Sequence, residues 1–302
     1  MNRLIVLLGL MTPLSLVAQS QVGGFAKFCL AVTESDLSYP TVQALLSTVR
    51  TRDCVKAEGL LLERTSLNLS DRGLKDISPL RFFSKLQYLH LKGNEFTSLE
   101  PLKELAHLEY LSLSGNPLGE GGKTVLRSLL AMRDLWHLDL ERCGLSSVLG
   151  VESLVQLREL WVRNNQVSDL TPLGAEHGFI NLEDLDLSAN PILDLRPLRS
   201  LARLESLNLA ETRPLSLEPL KDFRALRSLD LRSSDIKAET DLEFLLRLET
   251  LRDLQLSGNK IRTVNALGQM RHLEYLHLED NPLSGPQQEY LRDHLPDTYL
   301  FF

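Results

Sequence analysis

Residues 273–281 read LEYLHLEDN, and residues 251–259, one period of 22 earlier, read LRDLQLSGN. In both stretches leucine fills the first, fourth and sixth places and asparagine the ninth. The LxL tripeptide puts two leucines on one face of a short strand. A unit this small cannot bury its leucines alone, so it folds only by stacking against copies of itself.

The copies run through most of the 302 residues. LNLSDRGL starts at 67, LHLKGNEF at 89, LSLSGNPL at 111, LDLERCGL at 138, LWVRNNQV at 160 and LDLSANPI at 185. LNLAETRP follows at 207, LDLRSSDI at 229, LQLSGNKI at 254 and LHLEDNPL at 276. Successive starts lie 22, 22, 27, 22, 25, 22, 22, 25 and 22 residues apart, and TYL from Thr298 supplies a last half-repeat. A proline stands twelve residues after five of the starts, in ISPL from 77, LEPL from 99, LTPL from 170, LRPL from 195 and LEPL from 217. Proline fixes φ and gives up no ladder hydrogen bond there, which suits a tight turn on the side opposite the strands.

Over about residues 65–302 this pattern resembles the leucine-rich-repeat family, and the xxPL turn on a 22-residue period resembles its internalin-type bacterial subfamily. Four repeats, at 67, 138, 207 and 229, lack the asparagine, and VNAL from 264 lacks the proline. The resemblance implies an α/β solenoid: a curved parallel β-sheet on the concave side, with turns and short helices on the convex side. In the 27-residue unit, Val125, Leu126, Leu129 and Leu130 fall at helical spacing, so a true convex helix is expected there, as in a ribonuclease-inhibitor-type repeat.

Solenoid ends need caps. Residues 21–64 are expected to form a helical N-terminal cap, with amphipathic helices over Tyr39–Val49 and Asp53–Glu63. A last short helix is expected over Gln287–His294, before a strand over Thr298–Phe302. Residues 1–20 read as a secretory signal peptide: Arg3, an apolar run from Leu4, and small residues at Ala18 and Ser20, with cleavage expected after Ser20 or Ala18. The apolar run is broken by Thr12, Pro13 and Ser15, short of the roughly 20 residues a spanning helix needs, so no membrane insertion is expected. The mature chain is therefore expected to be secreted or periplasmic. In such an oxidising compartment three cysteines give one pair and one thiol. Cys29 and Cys54 share the N-terminal segment and are paired, leaving Cys143; closing that loop stabilises by about 3 kcal/mol.

A net charge of −7, with acids and bases interspersed, gives no basic footprint for nucleic acid. The stretch LWHLDLERCGL at 135–145 offers His137, Asp139, Glu141 and Cys143 as a chemical cluster. Aligned to the repeat, however, Cys143 takes the inward asparagine position held elsewhere by Asn94, Asn116, Asn165, Asn190, Asn259 and Asn281. The family admits cysteine at that place, and a buried thiol in apolar surroundings has no cause for a depressed pKa. One histidine and two carboxylates diverging from a single strand make no metal site. GxSxG, HExxH, CxxC and phosphate-loop motifs are absent from the sequence, so neither catalysis nor a cofactor is expected.

The outward columns point instead to binding. Aromatic and charged residues gather in the first half of the array, and the C-terminal half is blander. The expected contact set is Tyr88, His90, Tyr110, His137, Asp139, Glu141, Arg142, Glu159, Trp161, Arg163, Asp184 and Asp186. Trp161 stands where nothing in the core calls for an indole, and exposed tryptophan, tyrosine and arginine together mark binding hot spots. Trp136, one column earlier, is expected to shield the convex helix and is not part of the set. The expected ligand is a protein or peptide on the concave face of a monomer. Adhesion or host recognition is the first role; an inhibitor or escort of a secreted enzyme is the alternative. A hydrolase built on His137 and Asp139, or an envelope structural array, stand further back.

Overall fold

Each LxL tripeptide forms one rung of a continuous sheet. In the computed structural model, residues 23–122, 124–174, 179–237 and 239–302 are described, so the expected signal peptide lies outside them. The strands are β1 (Ser66–Asn68), β2 (Tyr88–His90), β3 (Tyr110–Ser112), β4 (His137–Asp139), β5 (Glu159–Trp161) and β6 (Asp184–Asp186). They continue as β7 (Ser206–Asn208), β8 (Ser228–Asp230), β9 (Asp253–Gln255), β10 (Tyr275–His277) and β11 (Tyr299–Phe301). All pair in parallel, in sequence order and in the same register, so that Leu67, Leu89, Leu111, Leu138, Leu160 and their successors form one column. The leucines two places on, Leu91, Leu113, Leu140 and Leu187 among them, are fully buried beside that column, and the core runs the length of the array.

Asparagine completes the ladder. Asn165 Nδ2 donates to the Leu140 and Val162 carbonyls at 2.9 and 2.7 Å, while its Oδ1 accepts from the N–H groups of Cys143 and Leu145. Asn94, Asn190 and Asn259 repeat that scheme, satisfying buried backbone groups that neither strand nor turn would reach. Cys143 occupies the same place, fully buried, and its thiol donates to the Leu113 carbonyl at 3.3 Å.

On the convex side each xxPL turn is a 3-10 helix with proline in its first turn, as at Ser78–Phe82, Glu100–Glu104, Arg196–Ser200 and Glu218–Asp222. The convex helix expected in the 27-residue unit is not α-helical. Val125–Leu129 is one more 3-10 turn, bonded Arg127 N–H to Thr124 carbonyl and Leu130 N–H to Arg127 carbonyl. Five extra residues are absorbed earlier, in a second 3-10 turn at Leu118–Gly121 and in Gly122, whose φ of +82° favours glycine. With thin turns on both sides, Val125–Leu129 keeps their spacing; Ser128 Oγ even reaches Glu100 Oε1 at 3.1 Å. The 25-residue unit after β8 does insert an α-helix, α4 (Glu239–Glu243).

The N-terminal cap has three helices: α1 (Gly24–Ala31), α2 (Tyr39–Thr48) and α3 (Cys54–Leu61). Asp53 caps α3, accepting from the Val55 and Lys56 N–H groups. The Cys29–Cys54 disulfide joins α1 to α3. The buried Glu58 carboxylate accepts from the N–H groups of Phe25 and Ala26 at 2.7 and 3.2 Å, closing the start of α1. Phe25 then packs on Phe83, ring centres 5.1 Å apart, and so seals the first leucine layer. At the other end α5 (Gly285–His294) and β11 close the last one.

Candidate functional site: the concave aromatic face

Parallel, in-register pairing sets equivalent outward residues side by side at about 4.8 Å per strand. One column runs Tyr88, Tyr110, His137, Glu159 and Asp184; the next runs His90, Ser112, Asp139, Trp161 and Asp186. At that spacing flat rings touch. The Tyr110 and His137 rings lie 4.2 Å apart with only 2° between their planes, and Trp161 meets His137 edge-on at 4.7 Å. His90 leans on Tyr110 at 4.8 Å, and Tyr88 stacks on Tyr110 at 6.4 Å. The twelve expected contact residues thus converge on one run from β2 to β6.

They do not all face solvent. His137 is only 2% exposed and Asp139 8%, although both stand at outward strand positions. The long rings of Tyr110 and Trp161 close over them, which a two-residue period cannot register. His137 Nδ1 lies 2.7 Å from Glu159 Oε2, and Asp139 accepts from Ser112 Oγ at 2.8 Å and from the Glu141 N–H at 3.0 Å. Both therefore brace the face from beneath. Trp161 and Tyr88 are the exposed aromatics of this run, at 36% and 37%, with Tyr110, His90, Glu159, Asp184 and Asp186 half-buried around them. Arg142 projects from a turn residue with φ of +53° and pairs with Glu141 at 3.3 Å; Arg163 lies half-buried in the following repeat. Asp186 is engaged by Ser188 and by Asn208 Nδ2 at 3.1 Å.

The face is electrically negative. Burial, then the charges of Glu159 and Asp186, push the Asp184 carboxyl up from the usual carboxylate range. Burial and then Asp139 and Glu159 raise the Tyr110 hydroxyl, while the Glu109 charge raises that of Tyr88. Burial, with the nearby His137, lowers His90.

Trp136 belongs here too. It was expected against a convex helix, but its half-buried ring meets Tyr110 edge-on at 6.0 Å and His137 at 5.7 Å. It forms a wall of a groove of about 640 Å³ along the sheet margin, with Glu109, Asp134, Arg158, Glu159 and Glu183 around it. The sequence carried a signal for this: neighbouring repeats hold Glu109, Arg158 and Glu183 at that position, so a tryptophan there is as anomalous as Trp161. The C-terminal half is also less bland than its sequence suggests, since Tyr275 stacks on Tyr299 at 5.4 Å and His277 on Phe301 at 4.3 Å.

For chemistry the arrangement offers little. Burial pushes the Cys143 thiol up to about 12, and it bonds inward to backbone while His137 lies in the outer column. Among the described residues no group of three or more His, Cys, Asp or Glu side chains is placed to hold a metal ion. Nor is any described helix long and apolar enough to cross a membrane.

These features define a leucine-rich-repeat solenoid with an aromatic, acidic concave face. A leucine-rich-repeat family model matches residues 65–118 and 221–283. Among solved structures the chain is similar to an internalin, inlF, from Listeria monocytogenes, at 22% identity and a TM-score of 0.70, covering 90% of this chain and 85% of that one. It is similar to internalin C2 from the same species at 24% identity, TM-score 0.54, over 82% and 93% of the two chains. A leucine-rich-repeat protein of Leptospira interrogans matches at 21% identity, TM-score 0.57, over 82% and 74%. No curated protein matches the chain. At these identities the shared property is the fold.

Proposed function

We propose that this chain is a non-catalytic, extracytoplasmic protein-interaction module that docks a protein or peptide on the concave face, centred on β2 to β6. Residues 1–20 serve as the signal peptide, 21–64 as the cap and 65–302 as the repeat array of a monomer. The observation that carries this is the contiguous run Tyr88, Tyr110, His137 and Trp161, with rings held in contact at positions the leucine core does not require. Tryptophan and tyrosine dominate binding hot spots because they bury large area at small entropic cost. Here Tyr110 and Trp161 are already braced by His137 and Glu159, so docking orders little that is loose. The likeness to internalins supports a bacterial, recognition-type role, by analogy of fold.

The test is co-purification from the native envelope or medium with the wild type and with the Tyr110→Ala, Trp161→Ala double variant. The variant is expected to lose a partner that the wild type retains; identical partners at equal yield would remove the concave face from consideration. The acidic columns support the second reading, an inhibitor or escort of a basic secreted enzyme. Steep loss of partner with rising salt favours it over adhesion.

A further inference from the structure

The margin of the sheet holds a feature that a purely aromatic hot spot does not need. Directly before the strands, Glu109, Trp136, Arg158 and Glu183 stand in successive repeats, and with Asp134 and Glu159 they enclose the 640 Å³ groove. Four carboxylates and one arginine line it; Arg158 is 3.7 Å from Glu183, and His107 Nδ1 lies 3.8 Å from Asp134. Two of the other carboxylates are aimed by neighbours. Glu109 accepts from Gln87 Nε2 at 2.9 Å and from the Tyr88 hydroxyl at 3.3 Å, both neutral donors that fix its direction without cancelling its charge. Glu159 is fixed by His137 Nδ1 at 2.7 Å. The Glu109 charge raises the Tyr88 hydroxyl, and burial, then Asp139 and Glu159, raises that of Tyr110, in line with the carboxylates that line the groove.

Trp136 supplies what a bare group of acids lacks. Indole is the best aromatic partner for a cation, and a guanidinium can lie flat on it while its edge N–H groups reach carboxylates in a bidentate fork. Among the described residues, cations already stacked on rings are Arg81, on Phe28 and Phe82, and Arg292, on Phe302. Trp136 is not among those rings; it meets Tyr110 and His137 at steep angles of 66° and 67° and lines the groove.

We infer that this groove is a receptor for an arginine side chain of the partner, seated on Trp136 and held by Glu109, Glu159 and Glu183, beside the aromatic contact on β3 to β5. The inference rests on the concave face being the docking surface, since the arginine belongs to the chain that docks there. A planar guanidinium uses both the ring and the carboxylate pairs; the point charge of lysine uses mainly the acids.

The test needs no identified partner. Trp136 and Trp161 are the two tryptophans of the chain, so a ¹⁵N spectrum of the full mature protein carries two indole N–H signals, assigned with Trp161→Phe. The probes are acetyl-Gly-Arg-Gly-amide and its lysine and citrulline counterparts, the last being neutral and nearly isosteric with arginine. The arginine peptide is expected to shift the Trp136 signal saturably and the Trp161 signal less. Lysine should bind at least threefold more weakly, and citrulline should leave Trp136 in place. Glu159 braces the face itself, so Asp134→Asn with Glu183→Gln is the variant used; it should weaken the arginine effect at least threefold with an unchanged far-UV spectrum. Equal shifts from citrulline, equal shifts at both indoles, or no shift from arginine at millimolar concentration would each overturn the assignment. Partner retention by the Tyr110→Ala, Trp161→Ala variant would instead count against the docking surface, and the titration is read without reference to it.

Discussion

Asn165→Ala removes one rung of the asparagine ladder, and the structure sets what that costs. Asn165 serves five backbone groups: the N–H groups of Cys143 and Leu145 and the carbonyls of Leu140, Val162 and Arg163. The Val162 and Arg163 carbonyls keep second donors, Asn190 Nδ2 at 2.9 Å and the Arg142 N–H at 3.0 Å, so three groups lose their partner. A buried polar group left unsatisfied costs about 1–3 kcal/mol, which gives a range of about 3–9 kcal/mol for three. Asn164 and Gln166 beside the site are exposed, so water reaches part of the turn and the lower end applies, about 3–4 kcal/mol. Cys143→Ala, at the equivalent place one repeat earlier, is the control. The Leu113 and Glu141 carbonyls that its thiol contacts retain Asn116 Nδ2 and the Gly115 N–H, both at 2.7 Å, so that substitution strands nothing. It loses only packing, about 1 kcal/mol. Equilibrium urea unfolding followed by far-UV circular dichroism, with tryptophan fluorescence as a second probe, measures both. If Asn165→Ala lies within about 1 kcal/mol of wild type, or Cys143→Ala costs as much, the ladder is not what satisfies the concave turns.

Reducing the Cys29–Cys54 bridge, which spans 25 residues, should lower stability by about 3 kcal/mol, read as a shift of the urea midpoint with and without reductant. Cys143 has a folded pKa of about 12 against an ordinary 9.0, so its contribution is complete below pH 9 and is lost as pH rises toward 12. Between pH 8 and 10.5 the wild type should therefore lose on the order of 2 kcal/mol more than Cys143→Ala, and equal losses in alkaline melts would contradict the burial. Gly119 donates its N–H to the Cys143 carbonyl at 2.9 Å, and a β-carbon there would collide with the Gly144 carbonyl oxygen. Gly119→Ala should cost about 1–3 kcal/mol by overpacking against backbone, while alanine at the open Gly59 of α3 leaves the melting temperature unchanged or raises it.

What the sequence made legible follows from where the cause of each feature lies. The strands, their register and the inward place of Cys143 have causes inside one repeat, and repetition printed them ten times over. The first cap helix was not legible because its start is closed by Glu58, 33 residues along, and its face is fixed by Phe83 of the first repeat. The 27-residue unit has helical spacing at Val125–Leu129, yet its neighbours are thin turns, and that packing decides between an α-helix and a 3-10 turn. The same reasoning explains the concave face. Alternation correctly placed His137 and Asp139 outward on β4, but exposure on a sheet depends on side chains one strand away. Tyr110 beside His137, and Trp161 beside Asp139, are long enough to cover both, whereas Ser206 and Ser228, further along the His137 column, have the shorter Asp184 and Asp253 as outer neighbours and stay half-buried. On a curved parallel sheet the large outward side chains beside an apparent cluster are thus the accessible ones, and the residues beneath them are not. For this chain the proposed contact keeps Trp161 and Tyr110, loses His137 and Asp139 as exposed groups, and gains Trp136 at the margin.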